Sequence, residues 1–136
     1  MKLHVLDANA LYRFLHRGPG FETVREVLKE AFATRTDVLI SVVNWGEVYY
    51  TTIRQIGIKS ATAILHQVDE LPLKIRDLDI VQTKLAAELK ASYGLPYADC
   101  FAAGLAGRAG IVVTADAKDF SKIPWLQIKP LPPHRN

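Results

Sequence analysis

Cysteine is nearly absent: Cys100 is the single one in 136 residues. A lone thiol closes no intramolecular disulfide, which excludes the disulfide-stapled secreted scaffolds. Its place in an apolar run reads as a small buried hydrophobe in a reducing cytoplasm. Long apolar runs are missing as well. His4, Asp7 and Asn9 interrupt the N-terminal stretch, so it makes neither a secretory leader nor a span of about 20 apolar residues, and no membrane partner is expected. His4, His16, His66 and His134 fall in unrelated segments without metal-ligand spacing, which argues against zinc. Gly18-Pro19-Gly20 is a breaker and does not match a phosphate-cradling loop. There is no internal repeat, no low-complexity tract, no linker and no dense basic block.

What remains is a globular composition. The chain is 49% hydrophobic and 23% charged, a balance typical of soluble folded domains. Its length allows roughly two-thirds of the unfolded surface to be buried. The formal net charge is +3 and the pI about 9.1, compatible with a nucleic-acid partner without requiring one. The basic residues (Arg13, Arg17, Arg25, Arg54 and Lys59 among them) are scattered, as solvated surface charges are.

Periodicity predicts strands alternating with helices. Leu3–Leu6 reads as a strand ending at Asp7, 21–33 as an amphipathic helix, and Asp37–Ser41 as a second strand. Val43–Ile56 is helical up to Gly57, and a further helix runs from Ser60 to about Leu71. A weak strand at Leu73–Ile75 precedes a helix from Asp79 to Tyr93, with Ile80, Leu85 and Leu89 among its apolar positions. Pro96 opens a helix reaching Gly107; Ile111–Thr114 and Leu126–Lys129 are the last strands. Three strands are apolar on both faces, the pattern of a parallel sheet covered by helices on both sides. The expected architecture is α/β, with one domain over 1–130 and a loose tail over 131–136.

In such a sheet, ligands bind beyond the carboxyl ends of the strands where strand order reverses. Asp7 follows the first strand directly, and Asp116 lies two residues beyond the strand ending at Thr114. A 3-2-1-4-5 order would bring the two together, although Asp after a strand also commonly caps the next helix. Asp99 lies in Pro96–Ala106, apolar on nearly every face. The first-turn dipole would favour it by about 0.3–1 kcal/mol, less than the several kcal/mol that an unpaired buried carboxylate costs. Glu47 sits among Val42, Val43, Trp45, Val48, Tyr49 and Tyr50, with Arg54 as an alternative, distant partner. Carboxylates from separate segments suit a hard cation such as Mg²⁺ or Mn²⁺, which can activate water and stabilise in-line attack on phosphate.

The blocks Leu6-Asp7-Ala8-Asn9-Ala10-Leu11, Ser41-Val42-Val43-Asn44-Trp45-Gly46-Glu47-Val48, Leu95 to Ala103 and Val113 to Phe120 resemble, in order and rough spacing, those of PIN-domain nucleases. The likeness is nearest to VapC-type toxins of toxin–antitoxin pairs and covers essentially the whole chain. The resemblance implies a five-stranded parallel sheet in the order 3-2-1-4-5 and Mg²⁺- or Mn²⁺-dependent endoribonuclease activity on an RNA such as tRNA or rRNA. It also implies a homodimer and a cognate antitoxin. Carried over by position, Asp7 and Asp99 become the main metal ligands, with Glu47 and Asp116 assisting. Asn9 and Thr114 become supporting polar residues. Asp119 rivals Asp116, but Asp119-Phe120 resembles a structural turn with Phe120 packed inward.

Three other readings are possible. Phosphotransfer through an aspartyl phosphate also uses Asp at strand ends with Mg²⁺. However, Ala8-Asn9 follows Asp7 where phosphatases have Asp-x-Asp, no acidic pair precedes Asp7, and Lys118 is poorly placed for a receiver domain. A binding module with a decayed site is disfavoured because all four acidic positions are filled. A nuclease of RNA maturation with the same fold stays open. Tyr49 and Tyr50 read as core aromatics, with base stacking as the alternative.

Overall fold

A computed structural model describes residues 2–33 and 35–133. Its strands are β1 (Lys2–Leu6), β2 (Thr36–Ser41), β3 (Lys74–Arg76), β4 (Ile111–Thr114) and β5 (Gln127–Pro130). The helices are α1 (Ala8–Leu15), α2 (Phe21–Phe32), α3 (Val42–Ile56), α4 (Ile58–Val68), α5 (Ile80–Tyr93), α6 (Tyr97–Ala106) and the single turn α7 (Ala117–Phe120). All strand pairs are parallel, in the order β3-β2-β1-β4-β5. This is the α/β architecture and strand order expected from the sequence.

The two-residue period of the central strands divides the core in two. Val5, Leu39 and Val112 face a cluster with Ala86 and Leu89 of α5 and Cys100, Phe101 and Ala103 of α6. Their neighbours Leu6, Val38, Ile40 and Val113 face the opposite cluster, built with Leu11 of α1, Val24 and Val27 of α2, Val48 of α3 and Leu65 of α4. Each fully buried aliphatic side chain contributes about 1.5–3 kcal/mol relative to exposure, so the two faces hold the sheet from both sides. The edge strand β3 is exposed throughout.

Several expectations are revised. Helix α1 was not anticipated; Asp7 accepts from the Ala10 amide and starts it, and Ala10 and Leu11 are fully buried. Helix α4 spans Ile58–Val68, not Ser60–Leu71, because Gly57 (φ 85°) both ends α3 and opens α4. Ile80 is not a core residue: at the first position of α5 it is 84% exposed. Arg13 is buried, not solvated, its Nη1 donating to the carbonyls of Pro19 and Pro132. Tyr50 is exposed, with Arg54 over its ring at 5.1 Å.

The tail is not loose at its start. The Leu131 amide donates to the Thr114 carbonyl at 2.7 Å, and its side chain is buried in the core. Gly20 (φ 89°) makes room there, since a Cβ would lie 2.8 Å from Pro132 Cδ. Residues 134–136, and with them His134, lie outside the described residues.

Candidate active site

The chain runs from β1 through β2 to the β3 edge, then crosses back through α5 and α6 to place β4 on the free side of β1. The carboxyl ends of β1 and β4 therefore diverge at a crevice, where open α/β sheets place their ligands. A cavity of about 360 Å³ opens there, lined by Asp7, Asn9, Tyr12, Glu47, Val48, Thr51, Gln55, Asp99 and Asp116, with Ala8. All four carboxylates singled out in the sequence, and Asn9, line this cavity.

Asp7 is the most constrained. Its Oδ1 accepts from the Ala10 amide at 2.8 Å and its Oδ2 from the Thr114 hydroxyl at 2.5 Å. Helix capping and membership of the acidic cavity thus coexist in one residue. Burial pushes its carboxyl up to about 6; the two hydrogen bonds oppose the rise, and the charges of Glu47 and Asp116 add to it. Thr114, fully buried at the end of β4, also accepts from the Asp116 amide at 2.8 Å. One hydroxyl therefore ties the two strand ends together.

Glu47 projects from α3 and accepts from Asn44 Nδ2 at 2.9 Å. The same amide group donates to the Ala98 carbonyl at 3.2 Å, so α3 is fastened to the first turn of α6 beside Asp99. Burial raises the Asp99 carboxyl to about 7, with further contributions from Asp7, Glu47, Asp116 and Asp119. Asp116 is also raised, first by burial and then by its contacts with Asp119. Carboxylate oxygens of Asp99, Asp116 and Asp119 lie within 4.8 Å of one another. Phe120 is buried as the turn reading required, yet Asp119 still reaches the cluster while pairing with Lys122 at 3.3 Å.

The donors are all oxygen: Asp99, Asp116 and Asp119 lie within ligand distance of one another, Asp7 and Glu47 line the same cavity, and three carboxyls (Asp7, Asp99 and Asp116) are pushed toward neutrality by burial and neighbouring acidic charge. That is the environment in which a hard divalent cation relieves repulsion, and the residues present fit one. Softer metals would call for Cys or His ligands, and Cys100 is buried in the core.

The PIN domain family model matches residues 4–126. The chain belongs to the PIN domain family. Among solved structures, DNA-bound VapBC from Salmonella typhimurium is similar at 22% identity and a TM-score of 0.74, covering 96% of this chain and 98% of that one. VapBC2 from Rickettsia felis, bound to a promoter DNA fragment, matches at 19% identity and TM-score 0.72, covering 95% and 98%. A toxin–antitoxin complex from Klebsiella pneumoniae matches at 20% identity and TM-score 0.64, covering 90% and 94%. No curated protein sequence matches the chain.

In this PIN domain, sequence reasoning missed two kinds of residue. Asn44, fully buried, orients Glu47; its signal was a polar amide three residues before Glu47 in an apolar run. Tyr12, Thr51 and Gln55 line the cavity from positions that follow Asn9 and Glu47 at helical spacing. With α1 unrecognised, that spacing could not be read for Tyr12.

Proposed function

We propose that this PIN domain is a divalent-metal-dependent endoribonuclease and the toxin of a toxin–antitoxin pair. The observation that carries the reading is the convergence of Asp7, Glu47, Asp99 and Asp116 on one cavity at the β1–β4 crevice. Asp7, Asp99 and Asp116 would hold Mg²⁺ or Mn²⁺, with Glu47 and Asn9 assisting and Asp119 sharing the role of Asp116. A cation held by these residues would supply Lewis-acid chemistry toward a phosphate oxygen and the attacking water.

The chain's own residues supply the positioning. Asp7 is fixed by two donors on opposite oxygens, so it presents its remaining lone pairs in one orientation. Asn44 holds Glu47 toward α6. Thr114 sets the spacing of Asp7 and Asp116 through one hydroxyl. The acidic cavity repels a phosphodiester by itself and attracts one when neutralised, which couples RNA binding to metal loading.

The toxin reading rests on the likeness to VapBC and toxin–antitoxin complexes over nearly the full length of both chains. By that likeness the partner is a cognate antitoxin; a second copy of the chain is the further partner that the resemblance in the sequence implies. The deciding experiment incubates wild type and Asp99→Asn with tRNA and rRNA, in Mn²⁺ and in EDTA. Cleavage by wild type with metal alone supports the reading; wild type inert in Mn²⁺ after removal of any co-purifying partner overturns it.

A further inference from the structure

The cavity is larger than the carboxylates need. Beyond the acidic end it continues along α1 and α3 to Tyr12, Thr51 and Gln55. The rest is lined by uncharged residues. Glu47, Thr51 and Gln55 follow one another at i, i+4 and i+8 along α3, so Gln55 stands roughly 12 Å further along the helix than Glu47. Tyr12 lies one turn beyond Asn9 on α1. The two helices meet where the Tyr12 hydroxyl donates to Gln55 Oε1. Among the described residues lining the cavity none is Lys or Arg, so this end offers hydrogen-bonding groups and an aromatic ring and no cation for a phosphate.

We infer that Tyr12 and Gln55, with Thr51, form a nucleobase subsite that selects which nucleotide lies next to the carboxylates. The inference rests on the nuclease reading and names the specificity of the same site. The Tyr12 ring is held on one side by His16, with centroids 4.2 Å apart, and at its tip by Gln55. An aromatic ring fixed in this way is a preorganised stacking surface for a base. The Tyr12 hydroxyl occupies Gln55 Oε1, which orients the carboxamide and leaves the Nε2 hydrogens as its remaining donors. Those hydrogens suit a carbonyl or ring-nitrogen acceptor on a base edge, and the Thr51 hydroxyl can donate or accept beside them.

Two measurements test this. The first titrates adenosine, guanosine, cytidine and uridine, which carry no phosphate, into wild type, Tyr12→Ala, Tyr12→Phe and Gln55→Ala in EDTA, following amide NMR shifts of α1 and α3. The expected result is that one or two nucleosides bind in preference to the others. Tyr12→Ala weakens that binding at least fivefold, Tyr12→Phe keeps most of it, and Gln55→Ala flattens the preference among nucleosides. The second sequences the ends left by Mn²⁺-dependent cleavage of a randomised RNA. A base preference beside the cut should flatten in Tyr12→Ala and Gln55→Ala, with KM rising more than kcat falls. Nucleoside binding that is absent, or equal in wild type and Tyr12→Ala, overturns the subsite even if RNA is cleaved. Selective, Tyr12-dependent binding by a protein that cleaves no RNA upholds the subsite and refutes the nuclease reading separately.

Discussion

Asp7 and Asp99 show how one residue's environment sets the behaviour of the protein. Their folded-state carboxyls titrate near 6 and 7, above the unfolded value. Between about pH 4 and 7 these two carboxyls therefore hold more protons in the metal-free folded chain than in the unfolded one, and their contribution to stability falls as pH rises through that window; the lowered His4 and His16 act in the opposite sense. For Asp7 the effect is on the order of 1–3 kcal/mol. In EDTA, the stability that Asp99→Asn gains over wild type, read from urea midpoints, should grow from pH 5 to 7.5, and Mn²⁺ should shrink it; a gain independent of pH contradicts the coupling. Asp7→Asn and Asp99→Asn should each abolish RNA cleavage while leaving the metal-free protein folded and more stable at pH 7.5. The Thr114 hydroxyl can accept from an amide at position 7 as readily as it donates to a carboxylate. Thr114→Val removes that hydroxyl at constant shape, and activity should fall roughly 10–100-fold, the range for groups that orient metal ligands. Circular dichroism would verify that the variant is folded. At this scale the sequence was legible where a charge stood in an apolar setting, as at Asp99. It was faint at Asn44, marked only by an amide in an apolar run, and silent at Tyr12, which joins the cavity through a partner distant in the chain.

Among the elements, α3 contributes most to the cavity, and it carries a weakness. Gly46 lies inside the helix with nothing within 4 Å of where a Cβ would be. Gly46→Ala should therefore stabilise the fold by about 0.5–1 kcal/mol, read as a higher denaturation midpoint; a lower midpoint would mean the space is not open. The strands were readable because their residues face helices on both sides, which leaves continuous apolar runs such as Ile111-Val112-Val113. Helix α1 was harder to see: at eight residues it is short, and its apolar face includes the buried Arg13. The exposed Ile80 misled for the opposite reason, since periodicity identifies a face without showing whether anything covers its first turn.

For the molecule as a whole, the end of the described chain is part of the fold. Leu131 fills the core beside Val113 and Ala115, and Leu131→Ala should cost about 2–5 kcal/mol, measured by urea unfolding. Burial of that side chain depends on contacts with β4, α1 and the Gly20 turn, none of which is visible in a Pro-rich stretch. The 3-2-1-4-5 order was legible through the resemblance to PIN-domain nucleases; the acidic strand ends at Asp7 and Asp116 were consistent with it without requiring it. That order also divides the molecule. Strands β1 to β3 come from the first 76 residues and β4 and β5 from the remainder, so the sheet has a single seam, β1 against β4. Asp7 and Glu47 lie on one side of it, Asp99 and Asp116 on the other. A cut in the exposed segment 77–79 would yield two pieces with half of the acidic set each. Fused to a pair of mutually binding peptides and co-expressed, they would make a split version of the proposed nuclease: RNA cleavage would report that the two tags have met, and either piece alone would be silent.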